Sequence, residues 1–331
     1  MRTAGFLLAM LAAAVLFAAQ AQAQDARIVI VPEGGLRAMK IAEANEARAE
    51  ANALNRNLAD IPSPERAYLI LPEGLGIEGL SGAIAVLPAG KHNFNFRGRD
   101  IAIGGGGGAA VPIGGGVSVG VSLPGTSIEN SVAGEGTVES GKYYRAEIDA
   151  TRIGDILTSA AIVELTGEEL AEAEARVAEW LSLSAPAEIG GVTWAGTNVG
   201  EPGRFVPTAE DHGNYYTFDD AQTACPDGWR TPTREEFKAL IDAGRERTEI
   251  AGVSGRMFGG GDARVFFPGG GGVVNTAGVY NQNAAGFYWS STPKNKRSAY
   301  GLSFNAATNL IFNNAGMGMG RANGMTVRCV K

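Results

Sequence analysis

The chain has 331 residues, of which 45% are hydrophobic, 19% are charged and 48 are glycine, and its formal net charge is −7. That length and apolar content support two or three domains with real cores and exclude wholesale disorder, while glycine without a Gly-X-Y period excludes collagen. The acidic balance argues against nucleic acid as a partner, and only two histidines, His92 and His212, make a His-based triad or a zinc centre a poor expectation.

Residues 1–23 read as a signal peptide. Arg2 supplies a short positive region, Phe6 to Ala19 is continuously apolar, and Ala21-Gln22-Ala23 fits the small-x-small cleavage pattern. The apolar run is short of the roughly 20 residues that a membrane span needs, so an uncleaved anchor is the lesser reading. No cysteine stands near the cleavage site for lipid attachment. The expectation is an exported chain beginning near Gln24, extracellular or at the cell surface with the periplasm also open, and no transmembrane segment after cleavage. In such a compartment Cys225 and Cys329, the two cysteines present, default to one disulfide. A pair of free thiols with a redox or metal role would want a Cys-x-x-Cys or a nearby histidine.

Residues 24–60 open with the strand-like run Ile28-Val29-Ile30-Val31, then Gly34-Gly35 and an Ala-, Glu- and Arg-rich stretch from Leu36 to Leu58 that favours helix. Its sparse apolar stripe (Leu36, Met39, Ile41, Leu54) suggests a surface spacer or a contact for a partner helix. Strand, glycines and helix could suggest a phosphate loop, but neither Gly-Lys-Ser/Thr nor Gly-x-Gly-x-x-Gly is present.

Residues 61–150 read as a β-sandwich-like domain. Apolar runs recur between turn signals at Ala67–Leu71, Ala83–Leu87, Asn93–Phe96, Val117–Leu123 and Tyr143–Ile148. Phe94 and Phe96 alternate onto one face. The turns Pro88-Ala89-Gly90-Lys91-His92 and Glu139-Ser140-Gly141-Lys142-Tyr143 resemble those that open paired strands in small export-associated sandwiches. The glycine tracts 104–108 and 114–116 precede strand-like alternation, which fits hairpin tips better than a nucleotide cradle. Residues 151–187 read as a helical linker. Thr166 and Glu169 have capping-box spacing, and Leu170, Ala173, Val177 and Trp180-Leu181 recur at helical intervals.

Residues 188–331 form the most informative region. Tyr216 to Cys225 reads as a short helix capped by Thr217 with Asp220, followed by a Pro226-Asp227-Gly228-Trp229 turn. Thr233 and Glu236 make a second capping box, with Phe237, Leu240 and Ile241 as the buried stripe. Glu235 and Glu236 diverge by about 100° on a helix, so they suit a helix dipole rather than a catalytic pair. Short strands separated by glycine turns then run to Met325-Thr326-Val327-Arg328-Cys329-Val330.

Ala224-Cys225-Pro226-Asp227-Gly228-Trp229-Arg230-Thr231-Pro232-Thr233, Tyr288-Trp289-Ser290-Ser291-Thr292 and Val327-Arg328-Cys329-Val330-Lys331 resemble the Fibrobacter succinogenes major paralogous (FISUMP) domain over about Gly191 to Lys331. Thr231 departs from the apolar residue usual in that turn. The resemblance implies an α+β, C-type-lectin-like fold, found on bacterial surface and secreted proteins. The sugar-binding calcium motifs of that superfamily are missing, so no metal and no cofactor are expected. Formylglycine-generating enzymes share the fold class but need a reactive cysteine pair, so no enzymatic activity is expected. Asn281, Asn283, Asn295, Asn305, Asn309, Asn313, Asn314 and Asn323 interleave with Tyr280 and Tyr300, a composition suited to adaptable contacts. It is similar to the variable region of diversity-generating retroelement targets. Asparagine also simply suits turns and left-handed backbone. These residues, with Arg321, are the expected ligand-binding face, its partner an unknown protein or glycan. A structural part of a surface appendage or envelope complex is the alternative.

Overall fold

The structure is a computed structural model describing residues 35–331 apart from 57, 73–74, 79, 81, 99–100, 104–108, 114–116, 122–125, 129, 151–155, 275–277 and 306–317. At 35, 59, 101–103, 109–113, 117–121 and 126–128 it describes the backbone alone. The expected signal peptide, the run Ile28–Val31 and both glycine tracts lie outside the described residues.

Helix α1 (Gly35–Ala51) leads into two single turns of 3-10 helix. Strands β1 (Arg66–Ile70), β2 (Gly76–Ile77), β3 (Ile84–Pro88) and β4 (Gly90–Arg97) follow. Next come β5 (Ile101–Ile103), β6 (Ala109–Ile113), β7 (Val117–Val121) and β8 (Thr126–Ile128), which form two separate pairs, β5 with β8 and β6 with β7. The unit closes with β9 (Ser131–Val138), β10 (Tyr143–Ala150) and β11 (Leu157–Glu164). One sheet has the order β11-β10-β1-β3 and another β2-β4-β9. Phe94 and Phe96, from one face of β4, share a core with Leu69, Leu87 and Tyr144 of the other sheet. The two sheets meet closely where β9 carries glycine: a Cβ on Gly136 would lie 2.9 Å from the Ile162 side chain of β11. Strand β11 falls in the stretch expected to be helical linker. Its half-buried side chains are Leu157, Ala160, Ile162 and Val163, which follow neither a strict alternation nor a helical period, and it pairs with β10 along seven residues, from Tyr144↔Glu164 to Ala150↔Leu157.

Helix α2 (Gly167–Ser182) buries Ala173, Val177 and Trp180 as its periodicity predicts. The expected Thr166–Glu169 capping box does not form: Gly167 takes φ +60, out of helical geometry, and Thr166 makes no side-chain cap bond. The Glu169 carboxylate is held instead by Arg145.

Beyond it lie β12 (Ala187–Ile189), β13 (Val192–Trp194), the short α3 (Phe218–Ala221) and α4 (Arg234–Asp242). Both expected caps are present here. Asp220 N donates to Thr217 Oγ1, and Thr233 and Glu236 exchange both bonds of a capping box. A three-stranded sheet follows, β14 (Arg245–Ile250), β15 (Val253–Gly260) and β16 (Ala263–Pro268). Then β17 (Gly270–Val273), β18 (Val279–Tyr280), β19 (Ala285–Pro293), β20 (Ser298–Asn305) and β21 (Met319–Gly320) make a five-stranded sheet in the order β18-β17-β19-β20-β21. Strand β17 runs parallel to β19, and the other pairs of this sheet are antiparallel. The last residues thread through this domain in isolated bridges, Tyr288↔Thr326 and Trp194↔Val330 among them.

Helix α1 is not a free surface spacer, because one face packs on the C-terminal half of the chain. Ile41 and Ala44 pack with Tyr215 and Val273 of the C-terminal half. Asn45 exchanges two hydrogen bonds with the Tyr215 backbone (3.1 and 2.7 Å), and Arg48 reaches Asp211 Oδ2 at 2.9 Å and Asn214 Oδ1 at 2.8 Å. The contact is largely polar, which a hydrophobic stripe does not register.

Candidate functional site

A rigid platform supports the C-terminal sheet. Cys225 and Cys329 are joined by a disulfide across a separation of 104 residues. One residue before Cys329, Arg328 is fully buried. Its guanidinium donates to Asn198 Oδ1 (2.7 Å), Ala195 O (2.9 Å) and Phe266 O (2.8 Å) and lies over the Phe267 ring. Burial pushes Arg328 down to about 10 and the neighbouring Tyr288 hydroxyl up to about 12. Tyr288 donates to Pro268 O at 2.7 Å and accepts from Asn198 Nδ2 at 3.3 Å. Thr231, the departure from the expected apolar residue, is buried and donates to the Ala221 carbonyl at the end of α3 (2.6 Å). Its hydroxyl therefore satisfies one of the carbonyls that a helix end leaves open.

The expected binding residues fall into two groups at opposite ends of the β19–β20 pair. The nine residues of β19 separate the two ends by about 25 Å. At the first end stand Tyr280, Asn281, Asn283 and Asn305. Tyr280 is 56% exposed, the most open large hydrophobic side chain among the described residues, and Val279 beside it is also exposed. Asn281 and Asn283 take left-handed backbone, φ 59 and φ 60, which asparagine tolerates better than most residues. The Asn281 carbonyl accepts from Ala284 N and Ala285 N, and Asn283 N donates to Gly269 O at 2.6 Å. Asn305 lies directly opposite Ala285, and its carbonyl accepts from the Arg256 guanidinium at 3.1 Å. The two asparagines thus fix a tight turn behind an exposed aromatic ring.

At the other end are Asn295, Tyr300, Arg321 and Asn323. Asn295 Oδ1 accepts from Arg297 N (2.8 Å) and Ser298 N (2.9 Å), so its side chain closes the β19–β20 turn. Tyr300 has Arg234 at 4.5 Å and Lys294 at 5.5 Å from its ring centroid. Arg321 lies over the Phe218 ring and pairs with Asp219, and Asn323 N donates to Gly320 O. A cavity of about 540 Å³ opens here between Arg37 of α1, Asp219, Lys296 and Arg321. Asn309, Asn313 and Asn314 lie outside the described residues.

Sequence reasoning missed a buried polar cluster at the junction of the two halves. Glu210, Asp211 and His212 are all buried. Trp180 Nε1 donates to Glu210 Oε2 at 2.8 Å, and burial raises that carboxyl to about 7. Burial lowers His212, whose Nε2 contacts Gln282 Nε2 at 3.3 Å. The run Thr208-Ala209-Glu210-Asp211-His212-Gly213 carries no hydrophobic period, and nothing in it signals burial. Among the described residues, no group of three or more His, Cys, Asp or Glu side chains could hold a metal ion. No described helix is long and apolar enough to cross a membrane.

The chain is thus α+β, and its C-terminal half closes on a disulfide and a buried arginine. The Fibrobacter succinogenes major domain family matches residues 165–331, just over half of the chain, and the chain belongs to that family. The match takes in α2 as well as the segments that carry the sequence resemblance. No curated protein and no solved structure matches the chain.

Proposed function

We propose that the chain is an exported, non-enzymatic recognition protein that binds a glycan or protein ligand through a C-type-lectin-like C-terminal domain. The observation that carries this reading is the first end of the β19–β20 pair. There an exposed tyrosine is mounted on a turn pinned by two left-handed asparagines, above a core tied by the disulfide and Arg328. A tyrosine ring has few side-chain torsions to fix on contact and offers both apolar area and a hydroxyl, which suits sugar faces and protein loops alike. Export is supported by the N-terminal charge, apolar and small-residue pattern and by the disulfide. With both cysteines in one bridge, the reactive pair of a formylglycine-generating enzyme has no counterpart.

The test is deletion of the gene from its source cell, with rescue by the wild-type chain or by Tyr280→Ala. The reading expects lost adhesion with surface assembly intact, restored by the wild type and poorly by Tyr280→Ala. Loss of surface assembly itself would favour a structural component instead.

A further inference from the structure

Strand β14 places Arg245 and Arg247 on one face, two residues apart, and Arg247 lies directly opposite Arg256 of β15. Residues opposed across antiparallel strands project to the same side, and like charges in that position repel. Here the repulsion is sharpened by burial: Arg256 is fully buried while Arg245 and Arg247 are exposed. Desolvation and the charges of Arg245 and Arg247 lower the Arg256 pKa. Among the described residues no carboxylate is in ion-pair contact with Arg245 or Arg247, and Arg245 donates only to the Ile241 carbonyl, at 3.3 Å. Glu249, on the same face two residues beyond Arg247, accepts from Ser254 Oγ at 3.3 Å and keeps its charge, and Glu246 projects to the opposite face. In a chain of net charge −7, three guanidiniums against one carboxylate leave this face of the ladder locally positive.

This field adjoins the tyrosine-bearing end through two bonded links. Arg256 donates to Asn305 O, and Gly269 joins β15 to the asparagine turn, its N donating to Ser254 O (2.8 Å) and its O accepting from Asn283 N (2.6 Å). We propose that Arg245 and Arg247, backed by Arg256, form the anion-binding part of the recognition site, and that its ligand is an acidic glycan carrying carboxylate or sulfate groups. An anion bridging the two exposed guanidiniums makes charge-assisted bonds and offsets their mutual repulsion. The sugar ring would then meet Tyr280. This inference rests on the recognition reading and adds the ligand's chemical class.

The full mature chain is passed over immobilised polygalacturonate, dextran sulfate and neutral dextran at about 150 mM salt. Because the whole protein is acidic, retention on a polyanion reports a local site rather than bulk ion exchange. The expected result is retention of the wild type on a polyanion but not on neutral dextran, with affinity falling about tenfold or more in Arg245→Gln/Arg247→Gln. Retention on both polyanions assigns shared anion chemistry, and retention on polygalacturonate alone assigns uronates. Arg247→Gln should also melt higher than the wild type without ligand, and polygalacturonate or dextran sulfate should raise the melting point of the wild type alone. Free passage of the wild type, or retention that the double variant keeps, overturns the proposal. A neutral glycan or a protein whose binding Tyr280→Ala abolishes, without polyanion retention, overturns it too and leaves the recognition reading standing.

Discussion

Trp180 and Glu210 meet in the interior, the indole Nε1 donating to Oε2 at 2.8 Å, and each residue is no more than 3% exposed. One comes from α2 and the other from the loop that receives Arg48 of α1 through Asp211. Bonds from Trp180, Thr208 and the Glu210 backbone do not repay the hydration lost by the carboxylate, so the folded protein favours the neutral acid.

Glu210 therefore makes stability pH-dependent in a definite direction. Its pKa rises from 4.5 to about 7 on folding. Through that window the folded chain keeps a proton that the unfolded chain has released, so stability falls as pH rises, by up to about 3 kcal/mol. His212 acts oppositely: its lowered pKa costs stability as pH falls below its ordinary 6.5. Melting temperatures of wild type and Glu210→Gln, taken from about pH 5 to pH 8, isolate the first effect. Their difference should change steadily with pH. A constant difference would mean that Glu210 is ionised throughout.

Arg328→Met should destabilise the chain by about 3–5 kcal/mol despite keeping an apolar stem, because Asn198 and the Ala195 and Phe266 carbonyls lose their donor inside the core. Chemical unfolding reads this directly. A loss below about 1 kcal/mol would place water, not Arg328, as the partner of those acceptors.

Replacing Cys225 and Cys329 together by serine should cost about 4–5 kcal/mol, the chain-entropy expectation for a loop of 104 residues. Reducing the wild type should produce the same melting shift, and a shift from only one of the two treatments would point to damage from the serine hydroxyls.

At the start of α4, Arg230 and the Thr233 backbone hold Glu236 at about 2. Its contribution is present above the ordinary 4.5 and is lost as pH falls toward 2. Thr233→Ala should cost about 1 kcal/mol at neutral pH, and Glu236→Gln should flatten the acid limb of the melting curve. An unchanged acid limb would remove Glu236 from the account.

Much of this architecture was legible because it rests on local rules. The Thr233–Glu236 box, the Phe237-Leu240-Ile241 stripe and the alternating Phe94 and Phe96 all declare themselves within a few residues. What escaped was non-local. Strand β11 mixes apolar and polar residues on both faces, so no alternation marks it, and it is defined by its pairing with β10. Thr166 has capping-box spacing, yet Gly167 takes its backbone elsewhere. Arg328, Arg256 and Glu210 are residue types that hydropathy assigns to the surface, and only tertiary partners explain their burial. The binding candidates were legible as composition but not as placement: Asn281, Asn283 and Asn295 each shape a turn, and the described members divide between two ends of one strand pair.

The most direct measurement is binding of the full chain and of Tyr280→Ala to arrays of glycans and cell-surface proteins. Tyr280 is exposed, so the substitution should leave the melting temperature within about 0.5 kcal/mol equivalent of the wild type. The account predicts at least one ligand whose signal falls about tenfold with Tyr280→Ala, as expected for an aromatic anchor. No ligand on either array, or binding indifferent to Tyr280, would contradict it.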